Sequence, residues 1–273
     1  MDSQGTLASP FGGVGAVSYI DLQAVLKDWP YDAEQISVRK VLGVDGTVKI
    51  QMRVELGVLQ MEGQGRPDGA RPHGHESLLE YHRKRLGKYE ERNGTTLGFA
   101  LSPQECQALQ TETSLYYRRF VALFVLEEYD AVFHDTGHSL AVFDLCRDYA
   151  LERDDRTCLE PYRSYVLMMD ARARAHHALS EGQPASALAH INRGIMNLRS
   201  HFEQSGGPDA VDAFEAGDEG KILREFGKEI LERMPENSVI VTRKALRAAV
   251  EEERFEEAAR LRDALKDLER LES

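Results

Sequence analysis

The chain has no long hydrophobic run. Its longest apolar stretch in 273 residues is 120–126, far short of the roughly 20 residues a membrane helix needs. The opening segment MDSQGTLASPFGGVG carries an acid at position 2 and no basic-then-apolar pattern, so no secretory leader is expected. Cysteine is scarce. Cys106, Cys146 and Cys158 stand far apart in sequence without the short spacing of a zinc site, and each is embedded in helical-looking sequence. They are expected to be reduced packing residues of a cytoplasmic protein. Positive charge is also short, with 34 Lys and Arg against 46 Asp and Glu, a net −12 that works against nucleic-acid affinity of the whole chain. That deficit is uneven: residues 36–120 hold 13 basic against 10 acidic side chains, residues 201–273 hold 12 against 19.

Catalytic signatures are missing as well. There is no G-x-S-x-G, no Lys-Ser/Thr after the glycine-rich stretch, and no third glycine to complete a dinucleotide fingerprint. No carboxylate pair is singled out by apolar neighbours that would raise a pKa. The expectation is a non-enzymatic protein with no catalytic residue, no resident metal and no cofactor.

What is present is a folded composition, 42% hydrophobic with 29% charged, rather than a disordered one. After a flexible stretch at 1–16, residues 17–98 read as a β-hairpin domain with a loop and a helix. Ile50, Met52, Val54, Leu56 and Val58 alternate with Lys49, Gln51, Arg53, Glu55 and Gly57, the period of a strand with one wet face. Asp45-Gly46 favours a tight reversal before it, and residues 17–20 could add a third strand. Residues 63–76, GQGRPDGARPHGHE, are too rich in glycine and proline for a regular element. A helix is expected over about 76–92. Ser102-Pro103-Gln104-Glu105 is a capping box that opens a helix to about Leu126.

Residues 99–206 read as helices only. Tyr129, Gly182, Ala187 and Gly194 fall where helix pairs similar to tetratricopeptide hairpins place aromatic or small residues, although the spacing is not that of a tandem array. Connecting helices at 207–241 follow a break at Gly206-Gly207-Pro208-Asp209. One carries the stripe Ile222, Leu223, Phe226, Ile230, Leu231 and Met234, stopped by Pro235. The fold class expected is α+β, mostly α.

Four groups could carry chemistry. His134 and His138 lie four apart on one helical face, but no glutamate sits between them as a zinc protease motif requires, and His176-His177 point to different faces. They are expected to be unrelated surface histidines. The loop residues Arg66, Asp68, Arg71, His73 and His75 are the candidates for a small-ligand or phosphate contact, because glycines let backbone N–H groups converge ahead of a helix N-terminus. The basic–aromatic strings Tyr81-His82-Arg83-Lys84-Arg85 and Tyr116-Tyr117-Arg118-Arg119 are expected to pack their stems and leave their charged heads in water. An alternative function, a nucleic-acid-associated regulator, would use Arg39, Lys40, Lys49, Arg53, Arg66 and Arg71.

The densest pattern comes last, over 242–273. In LRAAVEEERFEEAARLRDALKDL (residues 246–268), Ala258, Leu261, Leu265 and Leu268 are spaced 3, 4 and 3, the stripe of a helix that packs along another. A shorter stripe, Ala245, Leu246, Ala249 and Val250, precedes it, and Glu251-Glu252-Glu253-Arg254 is where the chain could reverse. Such a small hairpin buries too little apolar surface to offset its own ordering, so it needs a second surface. That surface is either a partner or this chain's own core.

The positions Leu246, Phe255, Glu256, Ala258, Ala259, Leu261, Arg262, Asp263, Leu265 and Leu268 resemble the UVR motif. Through this helical hairpin the excision-repair proteins UvrB and UvrC contact each other, and it recurs in Clp-type ATPases and McsA-like activators. The resemblance implies a protein–protein adaptor whose partner carries a matching hairpin, or self-association, with a link to excision repair or to protein quality control. It covers about a tenth of the chain. On this reading Leu246, Val250, Phe255, Ala258, Ala259, Leu261, Leu265 and Leu268 make the contact, Phe255 plugs the open end, and Arg262 and Asp263 set register by ion pairs. Nucleic acid is a less favoured partner, and no membrane contact is expected.

Overall fold

The computed structural model describes residues 21–205, 210–233 and 238–271. The stretch 1–20, the Gly206-Gly207-Pro208-Asp209 break and Met234-Pro235 lie outside them. A single helical turn, α1 (Gln23–Leu26), precedes a three-stranded antiparallel sheet of β1 (Val38–Leu42), β2 (Val48–Val54) and β3 (Gly57–Glu62), ordered β1-β2-β3. The first reversal is the Asp45-Gly46 turn, with Gly46 at φ 74°. The Asp45 carboxylate accepts from the Thr47 N–H at 3.0 Å and its hydroxyl at 2.8 Å.

The single strand expected through Val58 is broken instead at Glu55-Leu56, so residues 57–62 supply the third strand. Leu56, expected on the apolar face, is 93% exposed. Neither turn residue adopts a positive φ, so no glycine or asparagine marks the reversal in sequence. Arg53 braces it from outside: its guanidinium donates to the carbonyls of Trp29 (2.9 Å), Val54 and Gly57 (2.9 Å). The inner face of the sheet buries the cross-strand pair Ile50 and Met61 against the helices.

The rest is helical: α2 (Leu78–Asn93), α3 (Pro103–Val125), α4 (Tyr129–Tyr149), α5 (Arg153–Thr157), α6 (Arg163–Ser180), α7 (Pro184–Ser205), α8 (Ala210–Ala216), α9 (Asp218–Glu232), α10 (Ser238–Glu251) and α11 (Phe255–Leu271). The architecture is α+β, mostly α. The Ser102 box forms as its sequence demands, Ser102 Oγ accepting from the Glu105 N–H (3.3 Å) and the Glu105 carboxylate from the Ser102 N–H (2.8 Å). Helix α3 packs on α4, α4 on α6, α6 on α7, and α7 on both α9 and α11. Leu109, Phe120, Val132, Val142, Leu188, Ile191 and Leu223 fill the space between them. At Gly194 a Cβ would lie 2.4 Å from that of Ala171 and 3.1 Å from Leu223, so glycine is what lets α6, α7 and α9 meet. On α9, Leu223 and Ile230 are buried while Ile222 turns outward.

The three cysteines, remote in sequence, converge between α3, α4 and the end of α5. The Cys106 and Cys146 thiols are close enough to influence each other, and Gln110 Nε2 donates to Cys158 Sγ at 3.0 Å. Burial pushes the Cys106 thiol up to about 11 and raises the other two, so all three are protonated packing groups.

Candidate functional site

Two places compete for function: the loop 63–76 with the helices that hold it, and the terminal hairpin. The loop is fixed by buried charges on α3 and α4. Arg119 is buried on α3 and makes a bidentate pair with Asp135 of α4, both contacts at 2.7 Å. Its remaining nitrogen donates to the carbonyls of Glu62 (3.1 Å) and Gly65 (2.7 Å), so one guanidinium ties the end of β3 and the loop to both helices. The expectation that its head is solvated is therefore corrected.

Glu112, also fully buried on α3, caps the neighbouring helix. It accepts from the N–H groups of Leu78 (2.8 Å) and Leu79 (3.1 Å), two of the donors that the start of α2 leaves unpaired. Ser77 Oγ takes a third from Glu80 at 3.1 Å. His138 Nε2 lies 3.2 Å from the Glu112 carboxylate, and the His138 ring stacks on Tyr116 with centroids 3.6 Å apart. Burial alone would raise the Glu112 pKa; the hydrogen bonds from His138 and the two backbone donors outweigh it and hold the carboxyl below its ordinary range.

His134 and His138 therefore have separate duties. His138 is buried against Glu112, whereas His134 is largely exposed and bonds Asp135 at 3.2 Å, a contact that raises its pKa. Among the described residues no group of three His, Cys, Asp or Glu side chains is arranged for a metal ion.

The five loop candidates do not converge on one point. Arg66 Nε sits 3.1 Å from Asp68 and 3.6 Å from Glu112, aligned for a hydrogen bond with neither. His73, at φ 51°, stacks on Tyr81, and His75 faces Lys84 and Glu80. Arg71 is exposed on the rim of a cleft of about 340 Å³ that it shares with Arg66, Lys49, Asp45, Glu62 and Glu76. Lys49 spans Asp45 (2.7 Å) and Glu62 (2.6 Å), so charge in this cleft is balanced internally.

The cations of the alternative nucleic-acid reading are similarly engaged. Arg39 lies over Trp29 and bonds Gln51, Lys40 pairs with Glu128, and Arg53 braces the β2–β3 turn. Of the six, Arg71 alone has no side-chain hydrogen bond, ion pair or ring contact among the described residues; Arg39 and Arg53 are held by neutral groups.

The terminal hairpin is built differently. Its turn closes with Glu253 at φ 56°, the Glu252 N–H bonded to the Ala248 carbonyl (3.0 Å) and the Arg254 N–H to the Ala249 carbonyl (2.8 Å). Thr242, Ala249, Ala258, Ala264 and Leu268 are buried; the small ones let the two backbones approach closely. Ala264 was not part of the expected stripe. At the base, Leu268 joins the main core, Val239 packs against it, and α11 lies on α7. Ala258 and Leu268 are thus covered by this chain's own helices.

Leu246, Leu261 and Leu265 are half-buried, whereas Ala259 is exposed. Arg262 and Asp263 are exposed and bond each other at 3.0 Å. Phe255 does not plug the open end: it is 69% exposed, as Val250 on the other side of the reversal is at 52%, while Ala249 and Ala258 are the buried residues there. The hairpin is anchored at its base and bare at its tip.

No described helix is long and apolar enough to cross a membrane. No curated protein and no solved structure matches the chain, and the tetratricopeptide likeness rests on the sequence pattern alone. The model of one family, described as UVR, UvrB/uvrC motif, does match: it covers residues 236–271, and of these the described ones, 238–271, form the α10–α11 hairpin.

Proposed function

We propose that this protein is a non-enzymatic adaptor that binds another protein through the tip and outer face of its terminal hairpin. The observation that carries the reading is the pair Val250 and Phe255, apolar and bare at the reversal of a hairpin that matches the UVR model. Exposed apolar side chains at the reversal, with Leu261 and Leu265 half-buried further along α11, are the composition of a contact surface, and the glutamates flanking the reversal are the composition of a polar rim. The partner is a protein with a hairpin of the same type, or a second copy of this chain. A cytoplasmic setting, and a link to excision repair or to Clp-type quality control, follow from where such hairpins occur.

The test is affinity capture with the full chain against its Phe255→Asp and Leu265→Asp variants, with sedimentation to detect self-association. Removing the whole tail is less informative, since α11 covers part of α7. Capture of a UVR-bearing protein, or dimerisation, that both variants abolish while circular dichroism is retained is the expected result. Equal capture by all three chains would sink the reading.

A further inference from the structure

A groove of about 660 Å³ runs between α2 and the segment 98–100, lined by Arg85, Lys88, Tyr89, Arg92, Asn93 and Phe99 among others. It contains three cations and no carboxylate. Arg85, Lys88 and Arg92 fall at i, i+3 and i+7, so one face of α2 presents all three. Arg85 is neutralised from the side by Glu105 at the start of α3. Lys88 and Arg92 are exposed and have no ion-pair partner among the described residues. Arg92 in the last helical turn would offset the carbonyl end of α2, but that accounts for one of the three.

The opposite wall is built rather than incidental. Tyr89 Oη donates to the Leu97 carbonyl at 3.1 Å, Asn93 Nδ2 to the Tyr89 carbonyl at 2.8 Å, and the Phe99 N–H to the Thr96 carbonyl at 3.0 Å. Leu101 is then pinned to the end of α4, its N–H on the Tyr149 carbonyl at 2.8 Å. Gly98 has φ 95°, and a Cβ there would meet the Tyr89 hydroxyl at 2.7 Å, so this close approach requires glycine. The Phe99 ring meets Tyr89 and Tyr149 edge-on, giving the groove an apolar side.

We propose that this groove binds a compact phosphorylated ligand of nucleotide size, its phosphates on Lys88 and Arg92 and its apolar part against Tyr89 and Phe99. Unpaired cations beside an apolar wall match that chemistry, and the volume is that of a small-molecule site. A long nucleic acid is disfavoured by the net charge of −12, which opposes the approach of an extended polyanion. The site is separate from the terminal hairpin, and the two proposals stand or fall independently.

The experiment is calorimetric titration of the full chain with ATP, inorganic pyrophosphate and a single-stranded oligonucleotide at low salt. The Lys88→Glu/Arg92→Glu variant, changed at two exposed positions, is run alongside with circular dichroism as a folding check. Saturable ATP binding that weakens on the order of a hundredfold in the variant, roughly tenfold per cation, is expected. Pyrophosphate binding more weakly than ATP would assign the remainder to the Tyr89–Phe99 wall. The proposal is overturned by no saturable ATP binding up to about 1 mM, by binding that the variant leaves unchanged, or by an oligonucleotide that binds while ATP does not compete.

Discussion

The loop after the sheet and the terminal hairpin are both polar segments at the edge of the helical body, yet opposite physics holds them. The loop has almost no apolar anchor of its own and is fastened by buried charge: Arg119 to the carbonyls of Glu62 just before it and Gly65 within it, Asp135 to Arg119, and Glu112 to the helix that follows. The hairpin has few buried charges and is fastened by alanines along its seam and by Leu268 at its base. A buried ion pair is all-or-none, because losing either partner strands the other charge in a medium that cannot solvate it. A seam of small side chains yields by degrees. The expectation is that the loop holds to one arrangement, while loosening of the hairpin leaves the body intact.

The most severe way to break the comparison is Asp135→Ala. It leaves Arg119 buried and uncompensated, and should cost about 3–5 kcal/mol in urea unfolding of the whole helical body. A loss under about 1 kcal/mol would mean that Arg119 finds water instead. Next is Leu268→Ala, expected to cost about 2–4 kcal/mol locally. Hydrogen exchange should then accelerate in α10 and α11 while α3, α4 and α6 keep their protection. Uniform acceleration would make the hairpin part of one cooperative core.

Glu112→Gln should be milder, about 1–3 kcal/mol, since the amide still offers one acceptor to the two N–H groups of α2. It also sharpens the contrast through pH. The folded carboxyl titrates below its ordinary value of 4.5, so its stabilisation is complete above that value and fades as pH falls through the lowered one. The wild-type advantage over Glu112→Gln should thus shrink on acidification below the ordinary value. An advantage that persisted there would show the contribution to be shape rather than charge.

The same contrast explains what could be read from the sequence. Signals that act over a few residues were legible: the Asp45-Gly46 turn, the Ser102 capping box, and the stripe of the terminal hairpin with its polar reversal. The sequence names His138 and Arg119 but not their duties, and does not mark Glu112 or Asp135 at all, because the partners lie between 16 and 57 residues away and nothing local distinguishes these groups from solvated charges. The Glu55-Leu56 turn escaped for the opposite reason, since its dihedral angles demand no special residue and its brace is a side chain. Periodicity also could not tell which apolar residues of the hairpin face inward: Ala249 and Ala258 are buried, whereas Phe255 is not.

That misassigned ring supplies the last test. With 69% of its surface exposed, Phe255 contributes little to folding, and Phe255→Ala should change stability by no more than about 0.5 kcal/mol. An exposed phenylalanine at the first position of a helix is an apolar surface kept without a packing role, and burial against a partner would give it one. A stability loss near 2 kcal/mol would place the ring in the hairpin's own packing and remove the contact centre. Near-neutral stability together with lost partner capture would divide the hairpin into a base that folds with this chain and a tip that serves another.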